Sequence, residues 1–170
     1  MSEVQPEADS GIQYRPLSAK DLDKYKSLMT REHPSGYIGI VFKEITCDQS
    51  GTFYHMGAFS NDQLIGYVIC VVDYIAVRNY TDLENGISAQ TGKKLSYVPI
   101  VVVDPEYRRR GIGKQLMKTL LDKMETTVFL HAPANVVHMQ QFFENLGFTA
   151  RATIRRFFYN SDDAVVFARD

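Results

Sequence analysis

The sequence predicts an α/β (α+β) fold in which helices flank a mixed central β-sheet. Residues 95–103 are almost all apolar, as in a strand that is covered on both faces. Apolar residues at helical spacing follow, and a second apolar run occupies 127–131. Because this strand–helix–strand order normally forms a right-handed crossover, the two runs are expected to lie side by side as a parallel pair. Apolar runs separated by short polar turns flank the pair and predict antiparallel hairpins.

Length and composition favour one domain with no nucleic-acid or membrane target. The chain has 170 residues, enough for one hydrophobic core, and a formal net charge of −1, which gives no field that would attract a polyanion. No apolar run has the length of a membrane helix, and the first residues lack a signal-peptide core, so a cytoplasmic protein is expected. Residues 1–11 are expected to be a flexible polar tail, and residues 12–170 a single domain.

The two cysteines predict no chemistry of their own. Neither Cys47 nor Cys70 belongs to a pattern with metal-ligand spacing, so no metal site is expected. Reduced, buried thiols are the simpler interpretation in a cytosolic protein.

The first part of the chain predicts a strand and a helix. Residues 12–15 have the pattern of a short strand, and Ser18 with Asp21 has the spacing of a capping box. The helix that follows ends before Pro34, because a proline disfavours helical backbone in the residue before it. An apolar stretch at 37–45 predicts a second short helix. The apolar side of the first helix consists of Leu22, Tyr25, Leu28 and Met29.

A hairpin and a long polar loop are predicted next. Apolar runs at 52–60 and 63–71 are separated by Asn61-Asp62, which is typical of a two-residue hairpin turn. Residues 78–93 are rich in Asn, Asp, Ser and Gly. The length of this segment suits a lid or a binding loop.

The second half predicts a helix after each strand of the parallel pair, and then two more strands. The first helix extends from residue 111 to about residue 125. The second spans 136–146 and ends at Gly147, a residue that tolerates the left-handed conformation found at helix C-termini. Residues 148–159 and 164–168 predict the last two strands.

A basic, glycine-rich turn joins the first strand of the pair to its helix. Pro105 has no N–H group to offer, so it ends the strand. Arg108-Arg109-Arg110-Gly111-Ile112-Gly113-Lys114 then leads into the helix. The N–H groups and dipole of a helix start, with arginines beside them, predict a pyrophosphate site. The glycine spacing excludes a P-loop, and no third glycine completes a Rossmann fingerprint.

This turn resembles the acetyl-CoA signature of the GNAT N-acetyltransferases, Arg/Gln-x-x-Gly-x-Gly/Ala. Residues 108–113 match it at every position, after Val103-Asp104-Pro105-Glu106-Tyr107. The resemblance implies the GNAT acyl-CoA acyltransferase fold, in which the parallel pair splays apart, and acetyl-CoA as co-substrate. The cofactor-binding residues that it implies are Val101, Val102, Val103, Arg108, Arg109, Arg110, Gly111, Ile112, Gly113, Lys114, Asn135 and Phe143.

From Ile12 onwards the chain is also similar to the protein N-terminal acetyltransferases of the NatE and NatF types. The matching segments are Tyr97 to Val103, Phe129-Leu130-His131, Phe142 to Phe148, His33 to Tyr37 and Phe157-Phe158-Tyr159. The resemblance implies acetyl transfer, within a ternary complex, to protein or peptide N-termini that begin with Met and continue with an apolar or amphipathic residue. It implies Tyr97 and His131 as catalytic residues. The implied substrate-binding residues are Pro34, Tyr37, Pro99, Phe157, Phe158 and Tyr159.

The chemistry of the reaction suits these two catalytic residues. An α-amine has a pKa of about 7.7–8.0, so at neutral pH it must lose a proton before it attacks a thioester. Tyr97 and His131 could relay that proton through ordered water. His131 is the expected base because histidine titrates near neutrality, whereas Tyr97 needs a lowered pKa or orients the water. The main-chain N–H of Val101 is expected to stabilise the oxyanion.

Departures from the family pattern leave other functions open. Phe143 replaces a tyrosine that can protonate the departing thiolate, and Asn135 lies one residue before the usual CoA-binding asparagine, where it could still reach as an N-cap. These differences leave open a catalytically weak acetyl-CoA-binding subunit of an N-terminal acetyltransferase complex. A GNAT that acetylates lysine or a small amine is the other alternative.

The expected partners are protein or peptide N-termini. Other N-terminal acetyltransferase subunits or the ribosome are left open as partners, and no direct nucleic-acid contact is expected. The membrane-binding extension of the NatF type is not expected either, since the sequence ends at Asp170.

Overall fold

The structure, a computed structural model, describes residues 11–32, 42, 45–72, 94–158 and 160–170. Several predictions lie outside these residues. They concern residues 1–10 of the predicted tail, the loop at 78–93, and the predicted substrate contacts Pro34, Tyr37 and Tyr159.

The described residues form a mixed seven-stranded sheet with the order β1-β2-β3-β4-β5-β7-β6. Strands β4 and β5 are parallel, with Tyr97 opposite Phe129. The pairs β1–β2, β5–β7 and β6–β7 are antiparallel. The predicted mixed sheet with a parallel pair is therefore confirmed. The strands are β1 (Ile12–Arg15), β2 (Phe53–Ser60), β3 (Gln63–Val71), β4 (Leu95–Val103), β5 (Thr127–Pro133), β6 (Thr149–Ile154) and β7 (Ala164–Arg169).

Three helices have both ends within the described residues: α1 (Leu22–Glu32), α2 (Ile112–Leu121) and α3 (Val137–Asn145). Short 3₁₀ turns precede α1 at Ala19–Asp21 and α2 at Pro105–Tyr107. Phe42 and residues 45–47 are helical, which agrees with the predicted second helix where it can be compared. None of the helices within the described residues is long and apolar enough to cross a membrane.

The chain divides into two compact units, Met1–Ile69 with Ile100–Leu120, and Cys70–Pro99 with Leu121–Asp170. The prediction of a single domain over 12–170 stays a prediction.

The first unit has its core between α1 and the sheet. Tyr25, Leu28 and Met29 lie three and four residues apart on one face of α1, and all are buried. The Tyr25 ring packs on Tyr67 at 5.0 Å between centroids. At the start of the helix, Asp21 accepts the Ser18 N–H at 2.8 Å, which confirms the predicted capping box.

The second unit has a core of aromatic and small residues. Phe143 of α3 packs against Phe148 and Phe167, with ring centroids 5.9 and 6.2 Å apart. Gly147 ends α3 with a φ of +85°, the left-handed conformation predicted for it. A second cluster lies along the parallel pair and consists of Leu95, Phe129, Val166 and Ala168, with Tyr97, Ala152 and Ile154 against it.

Two predicted boundaries are wrong because the chain turns earlier than expected. Helix α2 ends at Leu121 rather than near residue 125, because the Met124 N–H donates to the Leu121 carbonyl at 3.3 Å in a tight turn. Strand β6 ends at Ile154 rather than at residue 159. Arg156 has a φ of +51°, which no strand residue adopts, and the chain turns there.

The cysteines differ from each other. Both are free; Cys70 is buried, and burial raises the pKa of its thiol to about 12. Cys47 is exposed, so the prediction of a buried thiol is right for Cys70 and wrong for Cys47.

Candidate functional site

In the first unit, the residues 104–113 form what we call the arginine–glycine turn. Its beginning is fixed by Asp104, which is 1% exposed. The Asp104 N–H donates to the Ile65 carbonyl at 2.8 Å, and its carboxylate accepts the Glu106 N–H at 3.1 Å. The turn is therefore anchored to β3 where β4 ends.

The end of the turn leads into the first N–H groups of helix α2. Arg109 and Gly111 have φ angles of +65° and +79°. Helix α2 then begins, with the Gln115 N–H donating to the Gly111 carbonyl at 2.9 Å. The N–H groups of residues 112–114 have no intrahelical partner, because they lie in the first turn of the helix. A Cβ atom built on Gly111 would meet no atom within 4 Å, so this surface is open to a ligand. The exposed side chains around it are Arg109, Arg110 and Lys114.

Arg108 forms bonds within the protein. Its Nε–H donates to the Val103 carbonyl at 3.0 Å, and its Nη2 forms an ion pair with Glu32 at the end of α1. Arg31, the residue before Glu32, pairs with Asp104 at 2.9 Å. The predicted contact of Arg108 with a pyrophosphate stays a prediction.

The end of β4 carries the predicted pantetheine contacts. Val101 and Val103 are half-buried, and Val102 is buried. A Cβ atom on Gly66 would lie 2.9 Å from the Val102 carbonyl oxygen, so the glycine permits a close approach of β3 to β4. The Val103 carbonyl already accepts one hydrogen bond and has a second lone pair.

In the second unit, the two predicted catalytic side chains are in contact. The Tyr97 hydroxyl lies 3.1 Å from Nδ1 of His131. Tyr97 is opposite Phe129 in the parallel pair, so His131 lies two residues further along β5, on the same face of the sheet. The imidazole is also stacked on Phe157, with centroids 4.3 Å apart and an angle of 15° between the planes.

Burial changes the protonation of His131. Desolvation by burial lowers its pKa to about 4, because a charged imidazolium is disfavoured among apolar rings. The expectation that this histidine titrates near neutrality is therefore wrong. At pH 7 the ring is neutral, with one N–H group and one nitrogen that accepts a hydrogen bond.

The predicted substrate wall is partly described. Phe157 and Phe158 lie in the turn after β6 and pack edge-to-face at 5.0 Å. Their N–H groups donate to the Asp162 carbonyl at 2.9 and 3.1 Å, and the Asp163 carboxylate accepts the Arg156 N–H at 2.9 Å. Pro99 is exposed on β4. The turn therefore places Phe157 against His131, a contact that the strand prediction does not provide.

Two other predicted cofactor contacts have partners inside the protein. The expectation that Asn135 is the N-cap of α3 is wrong, because Val136 occupies that position. The Asn135 amide instead donates to the Asp162 carboxylate at 3.1 Å. Phe143 is 3% exposed, in the core of its unit. Contacts of these two residues with a cofactor stay predictions.

Sequence reasoning missed the ion pairs at the end of α1. Arg31 and Glu32 have the pattern of an ordinary charged helix end. Their partners, Asp104 and Arg108, lie 73 and 76 positions further along the chain. No local spacing could have revealed them. In the described part of the chain, no group of three or more His, Cys, Asp or Glu side chains could hold a metal ion.

Comparison with known proteins gives a family match. Residues 20–148 match the acetyltransferase (GNAT) family. The [ribosomal protein bS18]-alanine N-acetyltransferase of Salmonella typhimurium is 37% identical over 76 residues, which are 40% of this chain and 51% of that protein. N-alpha-acetyltransferase 60 of Danio rerio is 27% identical over 160 residues, 87% of this chain and 64% of that protein. The chain thus spans about half to two thirds of the length of these curated relatives.

Solved structures share the fold. NAA60 of Arabidopsis thaliana in complex with acetyl-CoA has a TM-score of 0.75 at 20% identity, over 93% of this chain and 97% of that chain. Naa50 of Arabidopsis thaliana in complex with a bisubstrate analogue has a TM-score of 0.72 at 22% identity, over 94% and 99% of the two chains. At these identities the likeness concerns the fold alone.

Proposed function

Because this chain belongs to the acetyltransferase (GNAT) family, we propose that it is a protein N-alpha-acetyltransferase. It transfers an acetyl group to the α-amine of protein N-termini, with a preference for Met followed by an apolar or amphipathic residue. The observation that carries the proposal is the 3.1 Å contact between the Tyr97 hydroxyl and Nδ1 of His131 at the parallel pair. Relatives named N-alpha-acetyltransferase and alanine N-acetyltransferase support an α-amine as the acceptor.

Acetyl-CoA is the co-substrate. When bound, it supplies an acetyl thioester, which an amine can attack and whose leaving group is a thiol. The arginine–glycine turn fits its diphosphate, because the first N–H groups of α2 have no intrahelical partner and the surface at Gly111 is open. Arg109, Arg110 and Lys114 would add charge-assisted hydrogen bonds. The main chain of residues 101–103 would bind the amides of the pantetheine arm.

The tyrosine and histidine are proposed to move the proton of the amine. When the Tyr97 hydroxyl donates to Nδ1 of His131, its oxygen keeps lone pairs that can accept a hydrogen bond from the amine. A proton taken up at Tyr97 then displaces the phenolic proton to His131. Burial lowers the pKa of His131 to about 4, so His131 holds the proton only in passing and gives it up to water. An ammonium with a pKa of about 8 is too weak an acid to protonate this ring, so the proton transferred is the one that the amine nitrogen releases as its bond to the acetyl carbon forms.

The aromatic residues are proposed to exclude water and to bind the first side chain. Phe157 covers one face of the His131 ring, and Phe158 stands perpendicular to Phe157. Apolar rings of this kind suit a methionine side chain, which is long, flexible and polarisable. The other proposed peptide contacts are Pro34, Tyr37, Pro99 and Tyr159.

A peptide panel tests the proposal. The purified protein is incubated with acetyl-CoA and peptides that begin Met-Leu, Met-Lys or Ala-Leu, and release of the CoA thiol is followed. We expect turnover with the Met-initiated peptides, and none with the same peptides after their N-termini have been acetylated. If the peptide that begins with alanine reacts fastest, the proposed preference for an N-terminal methionine is wrong, and the substrate resembles the alanine named for the bacterial relative. Thermal stabilisation by acetyl-CoA without turnover of any peptide would overturn the proposal in favour of a binding subunit.

A further inference from the structure

We propose that the end of α1 positions the arginine–glycine turn through two crossed ion pairs, so that the carboxylate of Glu32 increases the affinity for acetyl-CoA. The pairs are Arg31 with Asp104 and Glu32 with Arg108. We call them the α1 clamp. The inference rests on the proposed function in one respect, which is that the turn receives the diphosphate.

The clamp holds the turn on both sides of its 3₁₀ segment. Asp104 precedes Pro105–Tyr107 and Arg108 follows it. At the end of α1, the cation Arg31 pairs with the Asp104 carboxylate, and the anion Glu32 pairs with the Arg108 guanidinium. Asp104 is 1% exposed and Glu32 is 16% exposed at the side chain, so both carboxylates lie in partly desolvated surroundings, where an ion pair also fixes geometry.

Arg108 is committed to this clamp by two separate contacts. One nitrogen bonds to the Val103 carbonyl at 3.0 Å, and another pairs with Glu32. A guanidinium held at two points in this way sets the direction of the chain that leaves it. We therefore assign Arg108 and Glu32 as positioning residues for the turn. The direct phosphate contacts are left to the backbone, Arg109, Lys114 and Arg110, of which Arg110 also donates to the Glu106 carbonyl at 3.3 Å.

The backbone just after the clamp shows why the turn needs support. Arg109, the next residue, has a φ of +65°, and Gly111 follows with +79°. A non-glycine residue in the left-handed region is strained and keeps this conformation only when its surroundings impose it. The clamp supplies that constraint one residue before the strained position. Without it, Arg109 can relax and the N–H groups at the start of α2 lose their common direction.

Positioning by Glu32 and simple repulsion by its charge predict opposite changes in acetyl-CoA affinity when that charge is removed. A carboxylate near a bound diphosphate repels it, so removing the charge of Glu32 should strengthen binding if the residue acts only through its charge. If Glu32 acts by positioning the turn, removing its charge should weaken binding. Glu106 provides the matched control, since it is an exposed carboxylate in the same turn whose side chain has no ion pair among the described residues.

The test is the dissociation constant of acetyl-CoA, measured by calorimetry at one salt concentration for Glu32→Gln, Glu106→Gln, Arg108→Gln and the double variant Glu32→Gln/Arg108→Gln. We expect Glu32→Gln to bind about tenfold more weakly and Glu106→Gln to bind as well as wild type or better. The double variant should bind no more weakly than Arg108→Gln alone, because both changes break the same pair. With S-acetylpantetheine, which lacks the diphosphate, kcat/KM should be the same for Glu32→Gln and wild type.

Two results would overturn the inference alone, given that wild type binds acetyl-CoA. One is a Glu32→Gln variant that binds as tightly as Glu106→Gln. The other is an Arg108→Gln effect that is as large in the Glu32→Gln background as in wild type, since Arg108 would then contact the phosphates itself. Failure of wild type to bind acetyl-CoA would overturn the proposed function together with the inference.

Discussion

The Tyr97 hydroxyl lies 3.1 Å from Nδ1 of His131, with the two rings at 74° to each other. Each strand of the parallel pair thus contributes one side chain that can carry a proton. Because His131 is neutral at pH 7, the pair can be linked by a single hydrogen bond whose direction depends on the imidazole tautomer. This contact supports a role in proton transfer that neither residue would have alone.

Replacing Tyr97 by phenylalanine tests its hydroxyl. We expect kcat for peptide acetylation to fall by about 100-fold, the ordinary size of a general acid–base contribution, with little change in acetyl-CoA affinity. Tyr14→Phe is the control, since it removes a hydroxyl from β1, an edge strand, whereas Tyr97 lies on β4, the central strand of the sheet. Steady-state kinetics and calorimetry measure the two quantities. Undiminished kcat in Tyr97→Phe would exclude the tyrosine from proton transfer.

Phe157 is expected to act through His131 as well as through the substrate. Removing its ring in Phe157→Ala lets water reach the imidazole, so the pKa of His131 should rise toward its ordinary value. Because the methionine side chain of the peptide also loses an apolar contact, kcat/KM for Met-initiated peptides should fall about tenfold. Phe157→Tyr keeps the stacked ring, so the pKa of His131 and the rate of peptide acetylation should stay close to those of wild type. Proton NMR titration of the histidine gives the pKa directly. An unchanged His131 titration in Phe157→Ala would contradict this role of the stacking.

Stability should depend on pH through His131. Its folded pKa of about 4 lies below the ordinary value of 6.5, so between these pH values the unfolded chain binds a proton that the folded protein does not. Stability therefore falls as pH falls through this window, by on the order of 2 kcal/mol between pH 7 and pH 5. Asp21, whose pKa is lowered by its hydrogen bond to Arg15, loses its contribution only below its ordinary value of 3.8.

Urea unfolding of wild type and His131→Asn at pH 7 and pH 5 measures this effect. His55 has a pKa lowered by burial too, and contributes with the same sign in both proteins. The difference between the two proteins therefore isolates His131, and the variant should lose less stability on acidification. Equal losses would show that His131 is not buried as the structure has it.

Two glycines with the same backbone conformation separate strain from ligand binding. Gly51 and Gly111 have φ angles of +77° and +79°, and a Cβ at either would meet no atom within 4 Å. Alanine should therefore cost about 1 kcal/mol of folding stability at both positions. Only Gly111→Ala should also weaken acetyl-CoA binding. Equal acetyl-CoA affinities for the two variants would contradict the assignment of the turn to the cofactor.

Local patterns in the sequence predict the elements that position the site. The run at 95–103, the helix after it and the run at 127–131 determine a parallel pair by the handedness of the crossover. Gly147 predicts a left-handed position after the end of α3, and it has one. These features depend on residues that are close in sequence, so periodicity and turn chemistry suffice.

Long-range contacts decide what the sequence could not predict. The apolar run through Phe157 and Phe158 has the composition of a strand, yet Asp162 and Asp163 bind the backbone at 156–158 and turn it. Arg108 matches a cofactor signature, yet its guanidinium pairs with Glu32, 76 residues earlier. The lowered pKa of His131 likewise follows from burial rather than from residue type. Each of these properties depends on a partner that no local pattern identifies.

The central claim, that the acceptor is an α-amine, is tested most directly by locating the acetyl group on one peptide that has both kinds of amine. A peptide that begins Met-Leu and contains an internal lysine is incubated with acetyl-CoA and the protein, and the product is fragmented in a mass spectrometer. We predict acetylation of the N-terminal nitrogen and an unmodified lysine. Acetylation of the lysine side chain, at a rate that blocking the N-terminus does not change, would contradict the account.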